Sequence, residues 1–196
     1  MYNEETDDLY FILTIESNID NAYRLKKNLL DLNILEKNII IVLGYSLSQP
    51  ETYIDKYPNM KKSKIVFHNF MDFILPKMYE SKKNCYYLED HTIIYENPGK
   101  FEKKNKLVWL GFMRKLSHYI VGAHLVYLDR ELIEELYENK DTYRPTQIDR
   151  FFRKIGMEKN YLHIDKSITK IVEHYSFSIN KVRKNIYNKY FYLNHN

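Results

Sequence analysis

The chain has one cysteine, five glycines and only two alanines in 196 residues. The lone Cys85 excludes an internal disulfide and a multi-cysteine zinc site, and it suits a reducing, cytosol-like compartment. The glycine-built motifs of phosphate binding and nucleophilic catalysis are missing: there is no G-x-x-x-x-G-K-[ST], no G-x-G-x-x-G and no G-x-S-x-G, and H-E-x-x-H is missing too. No apolar run approaches the ~20 residues of a membrane span. The opening residues carry Glu4, Glu5, Asp7 and Asp8, the wrong charge for an export or organelle signal, so a cytoplasmic protein is expected. Helix-turn-helix, zinc-finger and RNA-recognition signatures are lacking, and no internal repeat is visible.

What remains is a chain 44% hydrophobic, enough to bury a sizeable core in one compact domain or one and a half. The net charge of +4 permits an anionic partner without demanding one. Lys, Ile, Tyr and Asn occur 23, 21, 19 and 18 times. Their codons are A/T-rich, which points to an AT-rich genome such as that of a large DNA virus, a phage or a low-GC microbe. The same bias supplies lysines and tyrosines without any binding role.

The pattern of elements predicts an α/β protein. Leu9 to Glu16 (LYFILTIE) reads as a buried first strand, and Ser17 to Asp20 as a polar turn. Ala22, Leu25, Leu29 and Leu32 recur at helical spacing. Asn38 to Leu43 reads as a second buried strand ended by Gly44, residues 46 to 62 as a loop or short helix, and Lys64 to Phe67 as a short third strand. Phe70 to Tyr79 is helical in pattern, kinked or started by Pro76. Cys85 to Leu88 is a strand running into Glu89, Asp90 and His91. A basic loop with Pro98 and Gly99 precedes a strand over Leu107 to Leu110. Tyr119 to Leu128 is one strand, or a pair broken near Gly122. Asp129 caps a helix over Arg130 to Tyr137, with Leu132, Ile133 and Leu136 inward. A last helix starts near Pro145 and buries Ile148, Phe151, Phe152 and Ile155. Alternating strands and helices in the first half imply a mostly parallel sheet flanked by helices, with a mixed α+β second half.

In open α/β sheets ligands bind beyond the carboxyl ends of the strands. Glu89, Asp90 and His91 stand at such an end, where carboxylates can hold a divalent cation against a diphosphate; a solvated acidic turn is the plainer reading. Residues 179 to 196 form a basic aromatic tail, with Lys181, Arg183, Lys184 and Lys189 among Tyr187, Tyr190, Phe191 and Tyr192. Such a tail can neutralise phosphates or track a nucleic-acid strand, or it can be a solvated end.

The order of short motifs resembles glycosyltransferase family 25, the lipopolysaccharide and collagen galactosyltransferase group, which has the GT-A nucleotide-sugar fold. FILTIESNIDNAYRLKKNLLDLNI matches the family's first strand, polar turn and helix, with Arg24 at the family's Arg position. YYLEDHTIIYENP matches its acidic motif at a strand end, and LVWLGF its Leu-Gly strand end. GAHLVYLDRELIEELY matches its glycine-led strand and helix. RPTQIDRFF supplies a helix-opening aspartate, Asp149, and IVEHYSFS the last strand and serine loop. The match is spread as spaced short motifs through most of residues 9 to 178. Two departures stand out. The family's Gly-Cys-x-x-Ser-His stretch is replaced by HNFMDFILPKMYE, and the third acidic residue is His91, which removes one negative charge.

The resemblance implies a GT-A-like domain over residues 1 to 178 that moves a sugar from a nucleotide sugar, a UDP-sugar first among them, to an acceptor hydroxyl on a protein, a glycan or a modified DNA base. It implies Mn²⁺ or Mg²⁺ held by Asp90 and His91, with His174 as a late third ligand and Glu89 beside them. Thr14, Glu16 and Arg24 would meet the nucleotide, and Asp149 would be the general base of an inverting displacement. His124, after Gly122, would face the acceptor side. Blander alternatives are first-turn charge for Asp149, pairing with Asp20 for Arg24, and strand packing for His124. Trp109 reads as core. His91 also keeps open a catalytically silent binding protein of the same fold, and the basic tail a nucleic-acid-directed one.

Overall fold

A computed structural model of the chain describes residues 7–46, 57, 64–111, 113–114, 119–120, 123–164, 168–171, 174–175 and 182–183. Strand β1 (Leu9–Thr14) is followed by a 3-10 turn (Glu16–Asn18) that runs directly into helix α1 (Ile19–Asp31). Strand β2 (Ile39–Leu43) comes next. Helix α2 (Ile65–Asn69) then continues through a π-helical stretch (Phe70–Ile74) into α3 (Leu75–Ser81). Strands β3 (Cys85–Glu89), β4 (Thr92–Ile94), β5 (Leu107–Trp109), β6 (Met113–Arg114), β7 (Tyr119–Ile120) and β8 (Leu125–Leu128) lead to α4 (Arg130–Glu138) and α5 (Ile148–Glu158). Four short strands complete the described chain: β9 (Leu162–Ile164), β10 (Thr169–Ile171), β11 (His174–Tyr175) and β12 (Val182–Arg183).

The central sheet has the order β2-β1-β3-β8-β5-β9. β1 pairs parallel with both β2 and β3, and β5 pairs parallel with β9; β8 alone runs antiparallel to its neighbours β3 and β5. The sheet is thus mostly parallel. Small two-stranded pairings of β4 with β10, β6 with β7 and β11 with β12 lie outside it.

The two-residue period of a strand divides the core into two halves. Phe11, Leu13, Cys85, Tyr87, Leu107, Trp109, Val126 and Leu128 face a layer built from α2, α3, α4 and α5. Tyr10, Ile12, Tyr86, Leu88, Val108, Leu125 and Tyr127 face the other side, where Ala22, Leu25 and Leu29 of α1 cover them. Helices therefore flank both faces, as a parallel sheet requires if its apolar strands are to be buried.

Most expected elements lie where their patterns place them, including the cap of α4, where the Asp129 carboxylate accepts from the Leu132 amide at 2.7 Å. Two differ. Lys64 to Phe67 is not a strand but the entry to α2. Phe67, Phe70, Met71, Ile74, Leu75 and Met78 form one helical stripe of buried residues, and this packing overrides the strand preference of Ile65 and Val66. The π-helical stretch lies just ahead of Pro76, whose missing N–H interrupts the hydrogen-bond ladder. β2 is also an edge strand among the described residues rather than a fully buried one: there it pairs with β1 alone, and Leu43 is 56% exposed. In the segment 171–178 the described residues are Ile171, which ends β10, and β11, and most of the loop at 46–62 and of the tail at 179–196 lies outside the described residues.

Gly156 fixes how α5 sits on the sheet. A Cβ added there would meet the Leu162 Cβ at 2.7 Å and the Leu162 Cα at 3.3 Å. Alanine at an ordinary helix position gains about 1 kcal/mol over glycine. Here the clash with β9 outweighs that gain, and we expect Gly156→Ala to destabilise by about 1–3 kcal/mol in urea unfolding. Equal or greater stability of the variant would show that α5 is free to shift.

Candidate functional site

Parallel strands β1, β2, β3, β5 and β9 end along one edge of the sheet, and antiparallel β8 begins there. Register decides which side chains meet at this edge. Leu13 is opposite Glu89 in the β1–β3 pair, so the next residues, Thr14 and Asp90, are neighbours on one face. The Thr14 hydroxyl donates to Asp90 Oδ2 at 2.6 Å, and the Asp90 amide donates to the Leu13 carbonyl at 3.2 Å. Leu88 is opposite Leu125 in the β3–β8 pair. One step further, Glu89 faces His124, although the two are distant in sequence.

The result is a compact group of buried ionisable side chains. Glu89 Oε2 lies 3.2 Å from His91 Nε2 and 3.4 Å from His124 Nδ1. Glu89, His91 and His124 are 7%, 4% and 6% exposed, and one donor atom from each falls within 4.8 Å of the others. The two imidazole rings meet edge to face, with centroids 4.9 Å apart. His91 turns its other nitrogen, Nδ1, toward Asp90 Oδ1 at 3.4 Å. Asp90 is fully buried, so a chain of contacts runs from Thr14 through Asp90 to His91. The Thr92 hydroxyl donates to the His124 carbonyl at 3.3 Å and ties β8's start to the turn after β3. Beneath the cluster, burial and then the charges of Glu89 and Asp90 push the Tyr87 hydroxyl well above its ordinary pKa, so it stays protonated.

The same edge is braced on the β2 side. Asn69 Oδ1 accepts from the Tyr45 amide at 2.7 Å and its Nδ2 donates to the Tyr45 carbonyl at 3.1 Å. The Gly44 amide donates to the Thr14 carbonyl at 2.9 Å, and a Cβ on Gly44 would fall 2.6 Å from the Asn69 side chain. Only glycine lets the Asn69 amide clamp the chain this closely.

Of the residues singled out in the sequence, Thr14, Glu89, Asp90 and His91 come together here. Glu16 is exposed on the 3-10 turn just past Thr14. Arg24 is exposed on α1, and the expected pair with Asp20 does not form. Asp149 lies half-buried in the first turn of α5, where its Oδ1 accepts from the Arg150 amide at 2.8 Å; no hydrogen bond or ion pair joins it to the cluster. The backbone of His174 pairs with Arg183, and β11 lies alongside the Glu16–Asn18 turn, but the His174 side chain falls outside what is described. His124 is the group that spacing alone did not assign to the cluster; the signal for it is the antiparallel register of β8. Trp109 is core, fully buried. Burial pushes the Cys85 thiol up to about 12, which removes it as a nucleophile.

No protein-family model matches the chain. No curated protein matches it either. Among solved structures it is similar to a glycosyltransferase involved in glycosylation of the major capsid of PBCV-1, at 9% identity and a TM-score of 0.45, with 81% of each chain covered. It is also similar to the apo form of the glycosyltransferase GlyE from Streptococcus pneumoniae TIGR4, at 11% identity and a TM-score of 0.45, over 82% of this chain and 45% of that one. A third is a Drosophila beta-1,4-galactosyltransferase 7 variant in complex with manganese, UDP-Gal and xylobiose, at 9% identity and a TM-score of 0.47, over 93% of this chain and 72% of that one.

The Thr14–Asp90 contact has a measurable weight. A hydrogen bond to a buried carboxylate contributes about 1.5–3 kcal/mol, because the alternative is an undersatisfied charge in the core. Thr14→Val is expected to lose that amount in urea unfolding and Thr14→Ser to recover most of it. A valine variant as stable as the parent would mean that Asp90 is satisfied without Thr14.

Proposed function

We propose that the chain is a glycosyltransferase that moves a sugar from a nucleotide-sugar donor to an acceptor hydroxyl. The observation that carries this reading is the buried Glu89-Asp90-His91 turn at the carboxyl edge of a mostly parallel sheet, locked to the end of β1 through Thr14. The motif order that resembles glycosyltransferase family 25 supplies the reaction class. Residues 1–178 form the transferase unit in this reading and residues 179–196 a basic tail.

The acceptor oxygen attacks the anomeric carbon while the bond from that carbon to the diphosphate oxygen breaks. The hydroxyl proton passes to the Asp149 carboxylate, and the products are an inverted glycoside and a nucleoside diphosphate. Glu89 and His91 would hold a divalent cation at this edge, which would supply positive charge against the departing diphosphate. In this reading Thr14 and Glu16, at and just past the end of β1, meet the nucleotide, and Arg24 binds it. Asp90 keeps the turn in shape by accepting from Thr14.

A second reading keeps the donor site without turnover. It is favoured by His91, which brings an imidazole where the family has a carboxylate. Nucleotide-sugar binding with no transfer to any acceptor would select it.

Thermal unfolding with UDP- and GDP-sugars, each with and without added divalent cation, tests the proposal. A ligand at 100 times its dissociation constant adds about 2.7 kcal/mol of stability, a shift easily read. We expect one nucleotide sugar to stabilise the protein in a cation-dependent way, and Asp90→Ala or the milder Asp90→Asn to abolish the shift. No stabilisation by any nucleotide or nucleotide sugar would overturn the donor site.

A further inference from the structure

We infer that Glu89, His91 and His124 form a two-imidazole, one-carboxylate metal centre that selects a zinc-class ion over Mg²⁺ and Mn²⁺, with Asp90 as the residue that orients His91. The inference rests on reading this edge as a cation site, but not on sugar transfer. Where the family resemblance implies Mn²⁺ or Mg²⁺ on carboxylates, the donor atoms of this chain argue otherwise.

The first argument is donor chemistry. Mg²⁺ and Mn²⁺ favour oxygen ligands, whereas imidazole nitrogens favour zinc and its neighbours, whose affinity for a given nitrogen and oxygen site is higher in any case. The second argument is spacing. Tetrahedral ligands at zinc distances of about 2.0–2.1 Å are about 3.3–3.4 Å apart, while octahedral ones at magnesium distances are about 2.9 Å apart. The Glu89 Oε2 separations of 3.2 and 3.4 Å from the two imidazole nitrogens are near the tetrahedral edge, and the three donor atoms fall within 4.8 Å of one another.

The third argument is an orphaned atom. His124 Nδ1 is buried and, among the described residues, has no hydrogen-bond partner, although Glu89 Oε2 is only 3.4 Å away. A buried imidazole nitrogen without a hydrogen-bond partner is costly, and a metal ion is a partner that would satisfy it. The fourth is the arrangement behind the ligands. His91 points Nε2 at the cluster and Nδ1 at Asp90 Oδ1, and Asp90 is itself held by Thr14. A carboxylate behind a metal-bound imidazole fixes its tautomer and raises its basicity. Asp90 is therefore a positioning residue in this centre, and His124, from the start of β8, is the third ligand.

Isothermal titration of the chelator-treated full chain with ZnCl₂, MnCl₂ and MgCl₂ tests this, with Co²⁺ visible absorption as a probe of ligand geometry. The expected result is one Zn²⁺ per chain, bound at least 100-fold more tightly than Mn²⁺, and an intense Co²⁺ spectrum of low coordination number. His124→Ala is expected to weaken Zn²⁺ at least 100-fold, and Asp90→Asn about 10- to 100-fold. His124→Gln, closer in size, serves if the alanine variant fails to fold, as judged by circular dichroism. Zinc binding that survives loss of His124 would place the ion on other histidines and overturn the inference. So would Mn²⁺ binding as tight as Zn²⁺, though that outcome leaves the proposed transferase standing. No Zn²⁺ binding by the chelator-treated chain would overturn the centre, and nucleotide-sugar stabilisation without any cation would then still keep the donor site.

Discussion

The position of β3 between a parallel and an antiparallel neighbour is the constraint on which the site depends. Parallel pairing with β1 sets Leu13 opposite Glu89 and so brings Thr14 beside Asp90. Antiparallel pairing with β8 sets Leu88 opposite Leu125 and so brings His124 beside Glu89. A slip of one residue in either ladder would send these side chains to the opposite face of the sheet. The apolar residues of β3 resist that slip, because Cys85 and Tyr87 belong to one half of the core and Tyr86 and Leu88 to the other. The packing that stabilises the sheet is thus also what positions the ionisable groups at its edge.

Burial makes those groups consequential. Two carboxylates and two imidazoles almost without water raise the cost of any charge that is not matched within the cluster. Asp90 is matched by Thr14 and approached by His91; Glu89 faces both imidazoles. A cation at this edge would complete the balance and give an incoming diphosphate its counter-charge. The clamp of Asn69 on Tyr45 and the close approach at Gly44 hold the neighbouring chain in register with β1.

Local pattern made much of this legible. The alternation and length of β1 and β3, the spacing of Ala22, Leu25 and Leu29, the Asp129 cap and the buried stripe of α5 all have their causes within a few residues. The acidic turn after β3 is visible for the same reason. Features set by distant partners were not legible. Ile65 and Val66 have strand character, yet the stripe from Phe67 to Met78 draws them into a helix. β2 reads as buried because it is apolar, and only the sheet order shows it to be an edge. His124 joins Glu89 through a pairing across 35 positions, which no spacing rule carries. Asp149 is the reverse case: its place in the first turn of a helix was plain, while its partner in chemistry is a proposal.

The most direct test of the account is a crystal structure of the protein soaked with Zn²⁺ and a nucleoside diphosphate, with anomalous data at the zinc edge. The account predicts one anomalous peak within bonding distance of Glu89, His91 and His124, Asp90 hydrogen-bonded to His91 behind it, and the diphosphate on the open side of the ion. A cluster closed by hydrogen bonds between Glu89 and both imidazoles, with no peak there and the diphosphate elsewhere or absent, would contradict it.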